Sequence, residues 1–217
     1  MFKLQLNSGL LKLASIFIDY EAQSLPPSGR MVEYGYAASR LNKLPLGKVL
    51  DVGCTARHNY IPPTLCFQGW EVYGIDLRQW RFNHPNFHLI LEDVRYMSAP
   101  DEFYNCVYAI STIEHIGLHG YYGNKEFDAD GDIKTAREIW RVLKPSGRFI
   151  ITIPYIKKYF KRGGARRYDA DRLARLIEGF TIVHKTFYIQ EQDGIWIPIK
   201  QDDITNKEVI ALLEVQK

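Results

Sequence analysis

Residues 48–55, with the sequence KVLDVGCT, constrain the fold of this chain more than any other stretch. Apolar side chains at Val49, Leu50 and Val52 predict a strand that is buried on both faces, as strands of parallel sheets are. Gly53 then ends the run and, because it lacks a Cβ atom, lets the backbone approach a ligand closely. In open α/β sheets, ligands bind beyond the carboxyl ends of the strands. The stretch therefore predicts a ligand site in the turn after a central strand.

Similar apolar runs alternate with helical patterns along the rest of the chain. Further strands are predicted at residues 71–76, 87–91, 106–110, 148–153, 180–189 and 208–215. Helices are predicted at residues 30–41, 62–68, 133–143 and 171–178, and the spacing of Leu10, Leu13, Ala14 and Phe17 predicts one before them. This alternation predicts an α/β fold with a mostly parallel sheet and right-handed crossovers.

The length of 217 residues fits one α/β domain and is too short for two typical ones. We expect residues 1–217 to form a single domain, in which residues 1–45 are an N-terminal helical cap and residues 46–217 are the core. Two interpretations of the cap remain open. It closes over the ligand pocket, or it only covers one face of the sheet.

Composition limits the partners and the compartment. A formal net charge of +3 does not call for nucleic acid or an anionic membrane. Three cysteines without a C-x-x-C pair indicate reduced thiols, so we expect a cytoplasmic protein. No apolar run reaches the roughly 20 residues of a membrane span, and no arrangement typical of a secretory signal is present.

The turn after the first strand resembles motif I of the class I S-adenosylmethionine (SAM)-dependent methyltransferases, D-x-G-x-G-x-G. Asp51 and Gly53 match this motif, whereas Thr55 and Arg57 stand in place of the next two glycines. This departure counts more against a dinucleotide, whose pyrophosphate needs the exposed N–H groups of such a loop. The resemblance implies a Rossmann-like three-layer sandwich, with an antiparallel strand near the C-terminus of a mostly parallel central sheet. It also implies SAM as the cofactor.

Further matches follow in the order that the family shows. Asp76 ends the second predicted strand, where a carboxylate accepts hydrogen bonds from ribose hydroxyls in NAD and SAM sites alike. In the methyltransferases, the residue at Asp93 often meets the adenine amino group, with Val94 as an apolar neighbour. The predicted cofactor-binding residues are Asp51, Gly53, Cys54, Thr55, Asp76, Leu77, Asp93, Val94 and Ser111.

Residues 111–117 resemble motif IV of type 11-like methyltransferase domains, in which a Glu-His pair follows the fourth strand. His115 and Glu114 are the predicted catalytic residues. His115 suits a general base at neutral pH because its unperturbed pKa is near 6.5. Glu114 would orient the imidazole or the SAM amino group. The alternative is that His115 only packs beside the cofactor.

The acceptor side is predicted from two segments. Tyr121 and Tyr122 lie in the loop after the fourth strand, and Arg166, Arg167 and Tyr168 end a basic stretch at residues 157–168. Three interpretations of that stretch remain open: a mobile solvated loop, a clamp for an anionic acceptor such as a nucleotide-sugar phosphate, or an RNA-binding loop. The segments around it resemble a methyltransferase subgroup often associated with sugar or surface-polysaccharide biosynthesis.

Two further patterns concern metal binding and the residues before the first strand. Asp128, Asp130 and Asp132 do not have the spacing of a calcium loop, so no metal is predicted. Residues 30–34 resemble an R-x-x-E-Y element of the same subgroup, in which Arg30 would pair with the SAM carboxylate, with the acceptor, or only with a neighbour on the helix surface.

The resemblance implies a SAM-dependent methyltransferase that acts on a small-molecule or sugar-like acceptor, and an anionic acceptor is one of the open interpretations. Two alternatives remain: an RNA methyltransferase that uses the basic stretch, and a catalytically silent binding or scaffold protein of the same fold. The acceptor atom and the oligomeric state are not predicted.

Overall fold

The computed structural model describes residues 28–56, 59–118 and 127–217. The helix predicted from Leu10, Leu13, Ala14 and Phe17 lies outside these residues. In the described part of the chain, the helices are α1 (Gly29–Leu41), α2 (Ile61–Phe67), α3 (Gly131–Val142) and α4 (Ala170–Leu176). The strands are β1 (Lys48–Val52), β2 (Glu71–Ile75), β3 (Phe87–Ile90), β4 (Tyr104–Ile110), β5 (Leu143–Tyr155), β6 (Phe160–Arg162), β7 (Ala165–Arg167), β8 (Thr181–Gln190), β9 (Trp196–Ile199) and β10 (Val209–Gln216).

Eight of these strands form one sheet in the order β3-β2-β1-β4-β5-β10-β8-β9. The five strands from β3 to β5 are parallel to one another, and β10 runs antiparallel to both β5 and β8. The chain moves outward from β1 to β3 and then returns to the other side of β1 as β4. Such a reversal opens a crevice at the carboxyl ends of the strands, which is where α/β proteins bind ligands.

Alternating side chains of β1 pack against helices on both faces of the sheet. Leu50 and Val52 contribute to a core cluster that includes α3 and α4, whereas Val49 belongs to a cluster that includes α1 and α2. Because the sheet is covered on both faces, its central strands read as continuous apolar runs in the sequence. The predicted Rossmann-like three-layer sandwich, with a mostly parallel sheet and an antiparallel strand, is confirmed.

The basic stretch at residues 157–168 differs from the mobile loop that was one of its predicted forms. Its middle folds into an antiparallel hairpin of β6 and β7, in which Arg162 pairs with Ala165. The turn residues Gly163 and Gly164 have φ angles of +60° and +73°. Two successive positive φ values suit a tight hairpin turn, and glycine adopts them without a steric penalty.

Three further features of the fold differ from what the sequence predicts: two element boundaries and the order of the last strands. β5 begins at Leu143, directly after α3, and not near residue 148. The strands predicted at residues 180–189 and 208–215 are β8 and β10, which pair with each other in an antiparallel direction. β10 lies inside the sheet between β5 and β8, and the edge is formed by β9, which was not predicted. Helix α3 starts at Gly131 with Asp130 as its N-cap, so Asp132 lies in the first turn, where it is fully buried.

In the described residues, no helix is long and apolar enough to cross a membrane. Cys54, Cys66 and Cys106 are buried free thiols. The same part of the chain contains no group of three or more His, Cys, Asp or Glu side chains that could hold a metal ion.

Candidate functional site

A cleft opens at the carboxyl ends of β1 to β4. Each of these four strands sends its following loop to the wall of the cleft, through Gly53, Asp76, Asp93 and Ser111 respectively. Arg30 adds a wall from α1. The sequence predicted four of these five residues to meet at one edge of the sheet, and the structure brings them together.

Two observations explain why the cleft-lining residue 53 is a glycine. Its φ angle is +82°, which is a left-handed conformation that favours glycine. A Cβ atom at this position would also lie 2.5 Å from Thr112 Cγ2. Only glycine therefore fits this turn without strain or a clash with Thr112.

Asp51 and Cys54 lie behind the turn and not on the cleft wall. Asn59 donates to Asp51 Oδ2 over 2.7 Å and to the Cys54 carbonyl oxygen over 3.1 Å. Burial raises the pKa of Asp51 to about 7, although the bond from Asn59 opposes this rise. Both residues were predicted to bind the cofactor, but their side chains are buried among protein groups and do not line the cleft. Through their hydrogen bonds with Asn59, they stabilise the turn on the side that faces away from the cleft.

Thr55 likewise acts on the cleft through another residue. Its N–H and its hydroxyl donate to Asp76 Oδ2 at 3.2 and 2.7 Å. The N–H and the guanidinium of Arg78 donate to Asp76 Oδ1 at 3.0 and 3.2 Å. Burial favours the protonated form of Asp76, but these hydrogen bonds from Arg78 and Thr55 outweigh it and hold the pKa below its usual range. Asp76 is therefore an ionised acceptor on the cleft wall, with Leu77 beside it.

The loop after β3 supplies the next part of the wall. Asp93 caps the 3₁₀ turn Val94–Tyr96 by accepting the Arg95 N–H at 2.9 Å. Arg95 also makes an ion pair with Asp93 at 2.6 Å and one with Asp128 at 3.2 Å. Burial opposes ionisation of Asp93, yet the bonds from Arg95 lower its pKa. Val94 offers an apolar surface, whereas the predicted adenine contact of the Asp93 carboxylate competes with Arg95.

Ser111 connects the fourth strand to a buried acid that sequence analysis did not assign. Its hydroxyl donates to Glu33, and the Thr152 hydroxyl donates to the same oxygen over 2.7 Å. Glu33 is only 4% exposed, and Arg30 lies 3.7 Å from its other oxygen. The R-x-x-E-Y element includes Glu33, but the helix pattern alone does not show that Glu33 lies on the buried face of the helix.

Glu114 and His115 form the 3₁₀ turn Ile113–His115 after β4. Burial raises the pKa of Glu114 to about 8, a backbone hydrogen bond opposes this, and nearby Glu33 adds to it. Its Oε2 atom is buried and has no hydrogen-bond partner among the residues that the structure describes. Burial lowers the pKa of His115, and the surrounding arginines add to this effect, although a hydrogen bond to Gly164 opposes it. At neutral pH the pair is therefore a protonated carboxyl beside a neutral imidazole, with Glu114 Oε1 lying 3.8 Å from His115 Nε2.

Five residues were predicted to bind the acceptor, and the structure does not support that role for two of them, Arg166 and Tyr168. Arg166 and Tyr168 are fully buried. Arg166 donates to four backbone carbonyl groups, and Tyr168 donates to Asp132 over 3.0 Å, so neither side chain is available to an acceptor. Arg167 is partly exposed and makes an ion pair with Glu208. Tyr121 and Tyr122 lie outside the described residues.

Comparison with known proteins agrees with this geometry. The family described as "Caenorhabditis protein of unknown function, DUF268" matches residues 90–212, which is more than half of the chain. No curated protein gives a significant match.

Many solved structures have a similar fold. A SAM-dependent methyltransferase from Archaeoglobus fulgidus has a TM-score of 0.61 at 16% identity, over 91% of this chain and 99% of that chain. The 1,6-didemethyltoxoflavin-N1-methyltransferase of Burkholderia thailandensis, solved with bound 1,6-didemethyltoxoflavin and S-adenosylhomocysteine, has a TM-score of 0.59 at 14% identity, over 100% of this chain and 93% of that chain. The cyclase SpnF has a TM-score of 0.56 at 19% identity, over 83% and 81%.

These similarities separate fold from activity, because the structural neighbours share few residues with this chain and one of them is a cyclase. The matched residues begin at the end of β3 and include β4 and β5, so they contain the cleft-lining residues of the loops that follow β3 and β4. The chain belongs to the family described as Caenorhabditis protein of unknown function, DUF268, and it has the fold of the class I SAM-dependent methyltransferases.

Proposed function

We propose that this protein binds SAM in the cleft and transfers its methyl group to a small-molecule acceptor. One observation carries the proposal: the loops after four adjacent parallel strands meet at a single cleft, with an ionised acid on one wall and a neutral histidine on another. The ionised acid can accept hydrogen bonds from the hydroxyls of a ribose, and the neutral histidine can accept a proton.

The cleft residues fit SAM in three respects. Gly53 brings bare backbone to the cleft wall, so an adenosine group can lie against the turn. The Asp76 carboxylate presents the acceptor oxygens that a ribose diol needs, and Thr55 fixes their orientation. Val94 supplies an apolar contact for a purine ring. SAM itself would supply an activated methyl group on a positively charged sulfur.

The protein's contribution to the reaction is alignment together with acceptance of one proton. Ordering the acceptor beside the methyl group removes much of the entropic barrier of a two-substrate reaction. His115 lines the cleft and is neutral at pH 7, so it can take the proton that an acceptor hydroxyl or amine loses. Arg30 places a positive charge on the same wall, which favours an acceptor that carries a carboxylate or phosphate.

Calorimetry with SAM and S-adenosylhomocysteine tests the first step. We expect binding of both to the wild-type protein and a weaker binding to Asp76→Ala. Incubation with methyl-labelled SAM and a panel of hydroxyl, amine and carboxyl acceptors, sugar phosphates included, tests the second step. Absence of SAM binding at millimolar concentration would contradict the proposal.

A silent SAM-binding protein is the second candidate, and one observation favours it. The Asp76 carboxylate already accepts hydrogen bonds from Thr55 and Arg78, so a ribose must displace or share some of them. SAM binding without labelling of any acceptor in the panel would support this candidate.

The RNA alternative has less support from the structure. Of the basic side chains at residues 157–168, Arg166 is buried and Arg167 is paired with Glu208. An RNA acceptor requires an affinity that falls steeply with salt, because phosphate contacts release counterions. Filter binding of RNA at two salt concentrations tests this alternative directly.

A further inference from the structure

The hairpin formed by β6 and β7 holds the candidate base by its backbone. His115 Nδ1 lies 2.8 Å from the carbonyl oxygen of Gly164, in the turn of the hairpin. A carbonyl oxygen carries no proton, so Nδ1 must be the donor in this hydrogen bond. The neutral imidazole is thereby fixed as the Nδ1–H tautomer, and Nε2 carries the lone pair. Any partner of Nε2 must then donate a proton to it.

Arg166 determines where the hairpin lies. Its Nη1 atom donates to the carbonyl oxygens of Glu114 and Ile116 at 3.2 and 2.7 Å. Its Nη2 atom donates to the carbonyl oxygens of Asp128 and Ala129, each at 3.1 Å. One guanidinium therefore joins the hairpin to both ends of the segment that starts with the Glu114-His115 turn and leads into α3.

The charge of Arg166 is balanced away from the cleft. Asp132 Oδ1 lies 3.4 Å from Arg166 Nε, and both side chains are fully buried. The Asp132 carboxylate also accepts hydrogen bonds from Tyr168 and Arg172. A buried charged group that loses its partners is strongly destabilised, so this cluster resists rearrangement. The position of the Gly164 carbonyl group is consequently set by packing that does not involve any ligand.

We infer that Arg166 is a positioning residue, which, through the Gly164 carbonyl group, fixes His115 as the tautomer whose Nε2 accepts a proton from the methyl acceptor. This inference rests on the proposed function only in its last clause, because the tautomer exists with or without a substrate. It gives the hairpin a role that neither anion binding nor RNA binding explains. The arginine acts on the site without touching a ligand.

Nitrogen-15 NMR of the histidine side chains tests the inference without SAM and without an acceptor. The protein is labelled at histidine, His115→Gln assigns the signal, and the spectrum is recorded near pH 7, where the imidazole is neutral and the Glu114 carboxyl is still protonated. We expect the Nδ1–H form of His115 to exceed the Nε2–H form by about tenfold, which is the ratio that one net hydrogen bond supports. A predominant Nε2–H form in the wild-type protein would overturn the inference, whatever the protein's activity is.

Arg166→Lys tests the arginine, because lysine keeps the charge but cannot reach four carbonyl groups. We expect the two tautomers to become about equally populated, whereas the matched control Arg162→Lys, at an exposed position of the other strand of the hairpin, leaves the ratio unchanged. A folded Arg166→Lys protein with the wild-type ratio would overturn the role of Arg166.

Gly164→Pro provides a second test if Arg166→Lys does not fold. Proline fixes φ near −65°, whereas Gly164 has a φ of +73°, so its carbonyl group must move away from His115. We expect the Nδ1–H preference to be lost. An unchanged ratio in this variant would show that the hairpin carbonyl does not set the tautomer.

Discussion

The hydroxyl of Thr55 donates to Asp76 Oδ2 over 2.7 Å, and the N–H of the same residue reaches that oxygen at 3.2 Å. Thr55 stands where motif I of the methyltransferases has its second glycine. The threonine that replaces this glycine is therefore hydrogen-bonded to Asp76, the acid that we propose binds the ribose. The threonine holds one carboxylate oxygen in place, and Arg78 holds the other.

Replacement of Asp76 by alanine is expected to weaken SAM binding by about tenfold or more, because hydrogen bonds from ribose hydroxyls to a charged acceptor are lost. Thr55→Val is the matched comparison. It keeps the backbone N–H bond and the carboxylate, so we expect a loss of about threefold or less. Calorimetry with SAM measures both constants. Equal affinity of Asp76→Ala and the wild-type protein would remove Asp76 from the ribose site.

Gly53→Ala is expected to destabilise the protein by about 2 kcal/mol or more, because alanine is strained at a positive φ and its Cβ atom meets Thr112. The double variant with Thr112→Ala removes the two closest contacts but not the backbone strain. Urea unfolding of the wild type, the two single variants and the double variant therefore separates the two terms. Additive effects would show that the contact with Thr112 contributes nothing.

The central sheet could be predicted from the sequence because burial on both faces leaves a local signature. The apolar run at Val49 and Leu50 and the glycine at residue 53 identify a central strand and its turn without any knowledge of the partner strands. The meeting of Gly53, Asp76 and Asp93 at one edge followed from the rule that parallel strands end together.

The acceptor side could not be predicted in the same way, because its contacts are distant in sequence. Arg166 reads as one more surface cation in a basic stretch, and only the fold shows that it binds carbonyl groups around Glu114 and Asp128. Glu33 reads as the partner of Arg30 three residues earlier on a helix surface. Its contact with Thr152 depends on how α1 crosses the sheet, which no local pattern encodes.

The pH dependence of methyl transfer provides a test of His115 once an acceptor is found. Its folded-state pKa lies below the ordinary value of 6.5, so the neutral base predominates at neutral pH and is lost as the pH falls through the folded pKa. We expect a rate that declines as the pH falls through this folded pKa. His115→Gln should lower the rate by about 10²-fold and abolish the decline. A full-rate variant would leave His115 with a packing role only.

The buried carboxyl of Glu114 predicts a pH dependence of stability that needs no ligand. Its pKa rises from 4.5 in the unfolded chain to about 8 in the folded protein, so the folded state binds the proton more tightly. The resulting stabilisation is complete below pH 4.5 and is lost as the pH rises through 8. Between pH 5 and 8 this loss is on the order of 3 kcal/mol, at 1.36 kcal/mol per pKa unit. Glu114→Gln cannot ionise, so we expect its free energy of unfolding in urea to fall less than that of the wild type over this range.

The exposed residue Glu178 provides the matched control for that comparison, since its side chain lies in solvent. Glu178→Gln should retain the wild-type pH dependence. Because Asp51 also has a raised pKa, of about 7, the absolute curve of either protein contains more than one group. The difference between the wild-type and Glu114→Gln curves isolates Glu114. Parallel curves from pH 5 to 8 would mean that Glu114 is ionised in the folded protein, and the neutral carboxyl beside His115 would then have to be abandoned.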